Sequence, residues 1–164
     1  IWAKLLHLPY LLITWGLWNF VRLFDREKPT DRVDEGLVIG RRLRRSEITE
    51  EFDHYVDLTS EFEDPAKIRT SPEYLCLPIL DGGVPKEEAL RAALEKIGEG
   101  QVYVHCAQGH GRTGIFTLAL LQKRGIVDSV EDGMDFITDA RPGVRLNADQ
   151  LRFIRGFMLE SEYE

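Results

Sequence analysis

The chain is poor in the features that would indicate several alternatives to an ordinary folded domain. Only two of its 164 residues are cysteines, Cys76 and Cys106, which is too few for a disulfide scaffold. It has 28 acidic side chains against 21 basic ones, a formal net charge of −7, and this deficit of positive charge excludes a general nucleic-acid binder. Internal repeats, low-complexity tracts and paired Cys-x-x-Cys motifs are absent from the sequence. With 43% hydrophobic residues, the chain is expected to fold around one core of its own.

One long hydrophobic run stands apart from this average. Residues 5–24 read LLHLPYLLITWGLWNFVRLF, and a helix of this length would extend roughly 30 Å, about the thickness of a bilayer core. His7 and Pro9 interrupt the run, whereas its tryptophans are typical of membrane interfaces. We expect residues 1–24 to form an apolar helix that either contacts a membrane or docks on its own domain or a second protomer. The chain is expected in the cytoplasm, and if the helix is a membrane segment, the basic residues that follow it favour the cytoplasmic face for residues 25–164.

From residue 25 onward, the alternation of patterns indicates one α/β unit. Strands are predicted at residues 37–39, 55–59, 74–79 and 101–105. Helices are predicted at residues 46–54, from Pro85 to the glycines at 98 and 100, and at residues 112–124, 130–140 and 148–159. Because residues 74–105 read as a β-α-β unit, the predicted fold is a central, mostly parallel sheet flanked by helices, with the apolar N-terminal helix as an addition.

The residues that carry chemistry lie where the strand at 101–105 meets the helix at 112–124. Residues 105–114 read HCAQGHGRTG. Glycines allow the positive φ values that turn successive N–H groups inward, the helix N-terminus adds positive charge, and Arg112 offers a planar fork that fits a phosphate. The same surroundings lower the pKa of a thiol at Cys106. A nucleophile at the base of an anion site predicts phosphoryl transfer to sulfur.

Such a reaction needs an acid for the leaving group, and Asp81 is the candidate. It lies in the turn Asp81-Gly82-Gly83, which a single residue separates from the strand at 74–79. Because the carboxyl ends of parallel strands meet at one edge of a sheet, Asp81 and Cys106 are expected to face the same pocket. Asp81 would then protonate the leaving oxygen and later deprotonate the attacking water. An aspartate before glycine is also common as a turn residue, which is the alternative.

The segment from His105 to Thr113, HCAQGHGRT, matches the HCx5R(S/T) signature of the cysteine-dependent protein tyrosine phosphatase superfamily. The sequence resembles the compact, atypical dual-specificity phosphatases in particular. The resemblance runs from about Gly36 to Met158 and includes the stretches GLVIG, YVDLTSEFE, LPILDGGVP and ARPGVRLNADQLRF. It implies a dual-specificity phosphatase fold for residues 25–164.

The resemblance also implies a role for each matching residue. Cys106 would be the nucleophile, Arg112 the phosphate clamp, Asp81 the general acid and base, and Thr113 the hydroxyl that assists thiolate departure. The loop amides that bind phosphate would come from Ala107, Gln108, Gly109, His110 and Gly111. No metal or other cofactor is implied.

The stretch LNADQ at residues 146–150 departs from the motif QTxxQ of tyrosine-specific relatives. Leu146 replaces the first glutamine, and Gln150 matches the second, which would position the hydrolytic water. Asn147 and Gln150 also have the spacing of a helix capping box, the interpretation that we favour. An Asn-Arg-Tyr loop that would deepen the pocket is missing from the sequence. A shallow pocket is expected to admit phosphoserine, phosphothreonine, phosphotyrosine or a phospholipid headgroup.

Other patterns in the loop are weaker. Residues 109–114 fit the dinucleotide motif GxGxxG, but the following residues read as helices rather than further β-α units. His105, Cys106 and His110 lack a fourth metal ligand. His105 is expected instead to hydrogen-bond the backbone of Cys106.

Acidic residues ahead of the loop allow two interpretations. Glu61 and Glu63 could brace Arg112 from the side, but a solvated charged loop before Pro65 is the interpretation favoured by the sequence.

Two further features suggest regulation or membrane contact. Cys76 lies on the strand before Asp81, where an oxidative disulfide with Cys106 is one hypothesis and a small hydrophobic filler the other. The basic cluster formed by Arg41, Arg42, Arg44 and Arg45 would attract anionic lipids, or would be a solvated turn paired with nearby acids.

The sequence therefore predicts a hydrolase that forms a cysteinyl-phosphate intermediate. The expected substrate is a phosphorylated protein, with a membrane phospholipid such as a phosphoinositide or phosphatidylglycerophosphate as the alternative. A phosphate-binding pseudophosphatase is the second alternative, and the presence of Cys106, Arg112 and Asp81 argues against it.

Overall fold

The computed structural model describes residues 27–161, together with Gly16 of the N-terminal segment. The predicted apolar helix over residues 1–24 lies outside the described residues, Gly16 apart, so the division of the chain at residue 24 stays a prediction. Within the described part, no helix combines the length and apolar character needed to cross a membrane.

In the described residues five strands form one mixed sheet with helices packed against it. The strands are β1 (Thr30–Asp34), β2 (Leu37–Arg41), β3 (His54–Thr59), β4 (Tyr74–Ile79) and β5 (Val102–Cys106). The helices are α1 (Ala66–Arg69), α2 (Glu87–Glu95), α3 (Gly111–Lys123), α4 (Val130–Ala140) and α5 (Ala148–Ser161), with a single 3₁₀ turn at Arg45–Glu47. The strand order is β1-β2-β5-β3-β4, in which only β1 is antiparallel to its neighbour. The predicted α/β class with a mostly parallel sheet is confirmed.

Side chains of β5 alternate between two apolar layers. Val102 and Val104 belong to the larger core, which also contains the buried residues of α3, whereas Tyr103 belongs to a smaller layer with Tyr55 and Phe52. Burial of both faces explains why β5 begins with the continuous apolar run Val-Tyr-Val and why all five of its residues, His105 included, are buried. This double packing fixes the end of β5, where Cys106 stands.

Two predicted elements differ in the structure. The helix expected at residues 46–54 is wrong, because only the 3₁₀ turn forms there. The carboxylate of Glu47 accepts the N–H of Arg44 at 2.8 Å and so closes the turn, while the Phe52 ring stacks on Tyr103 with the centroids 5.2 Å apart. The second helix begins at Glu87 rather than at Pro85. Strand β1 was not predicted, because its sequence TDRVD has no buried side chain to reveal an apolar face.

The two cysteines lie on opposite faces of the sheet. Asp57 of β3 is in register with Cys76 of β4 and with His105 of β5. Side chains in register on neighbouring parallel strands point to the same face of the sheet, whereas successive side chains along one strand point to opposite faces. Cys106 is therefore turned away from Cys76 and stands two strands apart from it, beyond the reach of a disulfide. The disulfide hypothesis is wrong for this fold, and both thiols are free.

Candidate active site

The loop between β5 and α3 wraps around the thiol of Cys106. Its sulfur accepts the N–H of Gly109 at 3.2 Å, within a turn that begins at the end of β5 and ends where α3 starts at Gly111. Gly109 has a φ of +78°, and a Cβ on it would overlap the carbonyl of Gly40 in β2. Only glycine satisfies both conditions, because it alone adopts this φ without strain and leaves room for the neighbouring strand.

These surroundings favour the thiolate of Cys106. Burial by itself would raise the pKa of the thiol. The charge of Arg112, the Thr113 hydroxyl and the amides of His110 and Thr113 oppose that effect and lower the pKa below the ordinary value. The Thr113 hydroxyl is buried without a hydrogen bond of regular geometry, and its dipole acts on the sulfur beside it. A cysteine in this state is a nucleophile.

Arg112 is held almost completely out of solvent by acidic and carbonyl groups. Its side chain is 2% exposed and binds both carboxylate oxygens of Glu61, at 2.7 and 2.8 Å. It also donates to the carbonyl of Ile79 and to the carboxylate of Asp81, each at 3.0 Å. Burial raises and the arginine lowers the pKa of Glu61, and the net direction is downward.

The expectation that both glutamates lie in a solvated loop is wrong for Glu61. Glu63, by contrast, has an exposed carboxylate 3.9 Å from Arg69. The sequence did contain an indication that Glu61 reaches the site. Glu61 lies two residues beyond the end of β3 at Thr59, and β3 is parallel to β5 and ends at the same edge of the sheet.

Asp81 lies in the same cavity as Cys106, as the parallel sheet predicts. Its carboxylate is 88% exposed even though one oxygen touches Arg112. The loop that carries it is tied to the start of α5, because Asn147 donates to the carbonyl of Gly82 at 2.8 Å and Gln150 donates to that of Gly83 at 3.1 Å.

The cavity has a volume of about 590 Å³ and is bounded by four segments. Its floor is lined by Cys106, by the loop at residues 107–110, which we call the phosphate loop, and by the start of α3. The rim comes from residues 60–62, 80–82 and 145–147 with Gln150. Leu80 is 75% exposed and Arg145 is exposed at this rim. Such a cavity can hold a phosphate on its floor and a larger leaving group above it.

Gln150 takes part in the predicted capping box of α5. The Asn147 side chain accepts the N–H of Gln150 at 2.9 Å, and the Gln150 side chain accepts the N–H of Asn147 at 3.1 Å. The capping interpretation is confirmed, and the water-positioning role of Gln150 stays a prediction. Its amide also lies against Gly111, where a Cβ would come within 2.7 Å of Oε1.

His105 forms a buried link behind the nucleophile. Its Nε2 lies 2.8 Å from the carboxylate of Asp64, and its Nδ1 lies 3.4 Å from the carbonyl of Cys106, as the sequence suggested. Burial lowers the pKa of this imidazole, but the hydrogen bond and charge of Asp64 outweigh that effect, so the net shift is upward. Both nitrogens face acceptors, an arrangement that favours the protonated imidazole, which can donate from each.

A three-residue group with metal-ligand spacing surrounds this histidine. The ligand atoms of Asp57, Asp64 and His105 lie within 4.8 Å of one another. The Asp57 carboxylate already accepts hydrogen bonds from Thr59 at 2.6 and 2.8 Å and from the Tyr74 hydroxyl at 2.8 Å. The donor set therefore fits a hydrogen-bonded network better than a metal centre.

Sequence reasoning missed a support beneath the phosphate loop. Arg141, 1% exposed, donates to the carbonyls of Gln108 at 2.9 Å and Gly109 at 3.1 Å. Glu27 lies 2.8 Å both from Arg141 and from Nε2 of His110. The stretch ARPG around Arg141 gave no sign that the guanidinium would be buried there.

The basic cluster is not a continuous surface. Arg41 is paired with Glu47 at 3.1 Å, and Arg42 donates to the carbonyl of Glu63 and lies 3.6 Å from Asp64. The pairing of Arg41 with an acid of the same turn agrees with the second interpretation, a turn paired with nearby acids, and lipid contact by the cluster stays a prediction.

Comparison with known families identifies the class of protein. Residues 44–162 match the family model described as the Swiss Army Knife protein, DSP-PTPase phosphatase domain. The chain belongs to this family of DSP-PTPase phosphatase domains.

One curated viral protein is similar in sequence to part of this chain. The "Putative tyrosine phosphatase 067L" of Invertebrate iridescent virus 3 is 32% identical over 78 residues, which are 41% of this chain and 32% of the viral protein. The chain thus matches about a third of the length of that curated relative.

Solved structures share the fold at low sequence identity. Tk-PTP in its active form is 24% identical, with a TM-score of 0.69 over 80% of this chain and 97% of that one. PTPMT1 in complex with PI(5)P is 19% identical, with a TM-score of 0.69 over 83% and 98%. Human DUSP28 is 15% identical, with a TM-score of 0.68 over 81% and 98%.

Proposed function

We propose that this phosphatase hydrolyses phosphotyrosine, phosphoserine and phosphothreonine in proteins through a cysteinyl-phosphate intermediate. The observation that carries the proposal is the convergence of three groups on one open cavity. Cys106 lies at the floor with its thiol pKa lowered, Arg112 lies beside it, and the carboxylate of Asp81 faces them from the rim.

In the first step the thiolate of Cys106 attacks phosphorus. The S–P bond forms, the P–O bond to the leaving group breaks, and Asp81 donates a proton to the leaving oxygen. Arg112 and the loop amides bind the non-bridging phosphate oxygens, whose charge they stabilise in the transition state. In the free protein Asp81 is bound to Arg112, so a phosphate would take that place on the guanidinium and leave Asp81 beside the leaving oxygen.

In the second step water hydrolyses the phosphocysteine. Asp81 accepts a proton from the water, the new P–O bond forms, and the S–P bond breaks to regenerate the Cys106 thiolate. Inorganic phosphate leaves. The hydroxyl of Thr113, buried beside the sulfur, stabilises the departing thiolate.

The accessibility of the cavity supports dual specificity. The guanidinium of Arg112 contacts the carboxylate of Asp81, which is itself 88% exposed. The Asp81 side chain is therefore all that separates the phosphate site from bulk water on this side. Phe62 is the one aromatic side chain among the lining residues that the structure describes. A short phosphoserine can reach such a site, whereas a deep slot would admit phosphotyrosine alone.

A second candidate, hydrolysis of a membrane phospholipid such as a phosphoinositide or phosphatidylglycerophosphate, is favoured by the rim. The exposed apolar Leu80 and the exposed cation Arg145 both line the mouth of the cavity. An exposed apolar group and an exposed cation at the rim of one cavity suit a headgroup presented at an anionic membrane surface. PTPMT1, whose fold is similar, has been solved in complex with PI(5)P.

Phosphate release from matched substrates tests the proposal. We would compare phosphotyrosine and phosphothreonine peptides of one sequence with phosphoinositide and phosphatidylglycerophosphate vesicles. The proposal expects faster release from both peptides, lost in Cys106→Ser and retained in Cys76→Ser, a thiol control on the other face of the sheet.

The other outcomes separate the alternatives. Faster release from vesicles, reduced by removal of residues 1–24, would replace the proposal with a lipid phosphatase at a membrane. Binding of the phosphopeptides, with no phosphate released from either peptides or vesicles, would indicate a pseudophosphatase.

A further inference from the structure

The orientation of the loop amides depends on groups outside the cavity. Because a peptide unit is planar and trans, a carbonyl that points out of the loop directs the next N–H into it. Arg141 binds the carbonyls of Gln108 and Gly109 from outside. The N–H of Gly109 accordingly points inward and donates to the sulfur of Cys106.

Arg141 needs anionic partners to occupy this buried position. Glu27 and Asp31 supply them, at 2.8 and 2.6 Å, and the carbonyl of Lys28 accepts a further hydrogen bond at 3.1 Å. A buried cation without such partners would be strongly destabilising.

Glu27 differs from Asp31 in a second contact. The same oxygen that binds Arg141 lies 2.8 Å from Nε2 of His110, a residue of the loop itself. Glu27 thus bridges the loop and the arginine beneath it. Gly143 leaves space for this carboxylate, since a Cβ there would overlap it and come within 2.8 Å of His110.

We propose that Glu27 is a positioning residue, which holds the phosphate loop in its anion-binding conformation through Arg141 and His110. The inference rests on the proposed function, because it assigns Glu27 to the same phosphate site. Removal of Glu27 leaves Arg141 its contact with Asp31, so the fold persists while the loop loses its link at His110. Anion affinity therefore depends on Glu27 more than stability does.

The test is tungstate binding, measured by calorimetry in the full chain, with the melting temperature measured in parallel. Glu27→Ala is expected to weaken tungstate affinity about tenfold, the scale of one lost charge-assisted hydrogen bond. Glu27→Gln keeps an oxygen in the bridging position and is expected to recover most of that affinity. The matched variant Asp31→Ala removes the other carboxylate on Arg141 but keeps the contact between Glu27 and His110, so it is expected to lower the melting temperature and to weaken tungstate binding less than Glu27→Ala does.

Several outcomes would overturn the inference. It fails if Glu27→Ala binds tungstate with an affinity within twofold of wild type. It fails also if the ratio of lost tungstate affinity to lost melting temperature is the same in Glu27→Ala and Asp31→Ala. It also fails if Glu27→Gln is no better than Glu27→Ala, because geometry would then not be the cause. Tungstate binding that depends on Glu27 in a chain that hydrolyses none of the substrates would support the inference and refute only the proposed function.

Discussion

Glu61 binds the guanidinium of Arg112 through two parallel hydrogen bonds of 2.7 and 2.8 Å. Paired bonds of this kind fix the plane of a guanidinium as well as its position. Arg112 keeps the carbonyl of Ile79 and the carboxylate of Asp81 as further partners. Glu61, a residue of the loop after β3 and far from the signature in sequence, thus orients Arg112, the proposed phosphate clamp.

Glu61→Gln is expected to lower kcat/KM about tenfold, mainly through a higher KM, because a misdirected Arg112 binds the phosphate less well. The measurement is steady-state hydrolysis of p-nitrophenyl phosphate. Glu63→Gln, which alters an exposed carboxylate of the same loop, serves as the control and should change kcat/KM less than twofold. Equal losses in both variants would refute the assigned role.

Asp81→Asn is expected to lower kcat on a phosphoserine peptide by about a hundredfold, the usual range for loss of a general acid. The loss should be smaller on p-nitrophenyl phosphate, because nitrophenolate leaves without protonation. Since Asp81 is largely exposed, the melting temperature should stay near that of wild type. A loss that does not depend on the leaving group would exclude proton donation by Asp81.

The reactivity of the two thiols should differ with pH. Arg112 and the loop hydrogen bonds hold the pKa of Cys106 below its ordinary value, whereas burial and the charge of Asp57 raise the pKa of Cys76. Alkylation by iodoacetamide, followed by peptide mass spectrometry, should therefore label Cys106 at a lower pH than Cys76. Arg112→Met should move the Cys106 profile to higher pH. Identical profiles for the two thiols would contradict the electrostatic account.

The His105 and Asp64 pair should contribute stability that depends on pH. The pKa of His105 is raised above 6.5 in the folded chain, so the folded state binds its proton more tightly than the unfolded state. The resulting stabilisation is fully present below pH 6.5 and is lost as the pH rises through the folded value. Chemical denaturation measures the free energy of unfolding of wild type and His105→Asn. The difference between the two should become smaller as the pH rises from 6.5 through the folded pKa of His105. A difference that is constant or grows with pH would contradict a charged His105.

Features set by neighbouring residues were predictable from the sequence. The loop after β5 carries its chemistry in one continuous stretch, and the bounds of β4 agree with the prediction at both ends. The meeting of Asp81 with Cys106 follows from the parallel arrangement of strands. The capping box at Asn147 is likewise a local pattern.

Features set by distant partners were not predictable. Glu61 is separated by 51 residues from Arg112, and Glu27 by 83 from His110 and by 114 from Arg141. No periodicity connects such pairs, because each depends on which loops the finished sheet brings together. Strand β1 was missed for a related reason, since the edge strand buries no side chain and shows no apolar alternation.

The central claim is that phosphate passes through the sulfur of Cys106. Acid quenching of wild type during turnover of a phosphotyrosine peptide, followed by peptide mass spectrometry, tests it most directly. The account predicts one phosphoryl group on the peptide that contains Cys106, and neither this adduct nor phosphate release in Cys106→Ser. Phosphate release by Cys106→Ser, or wild-type turnover with the phosphoryl group on another residue, would contradict it.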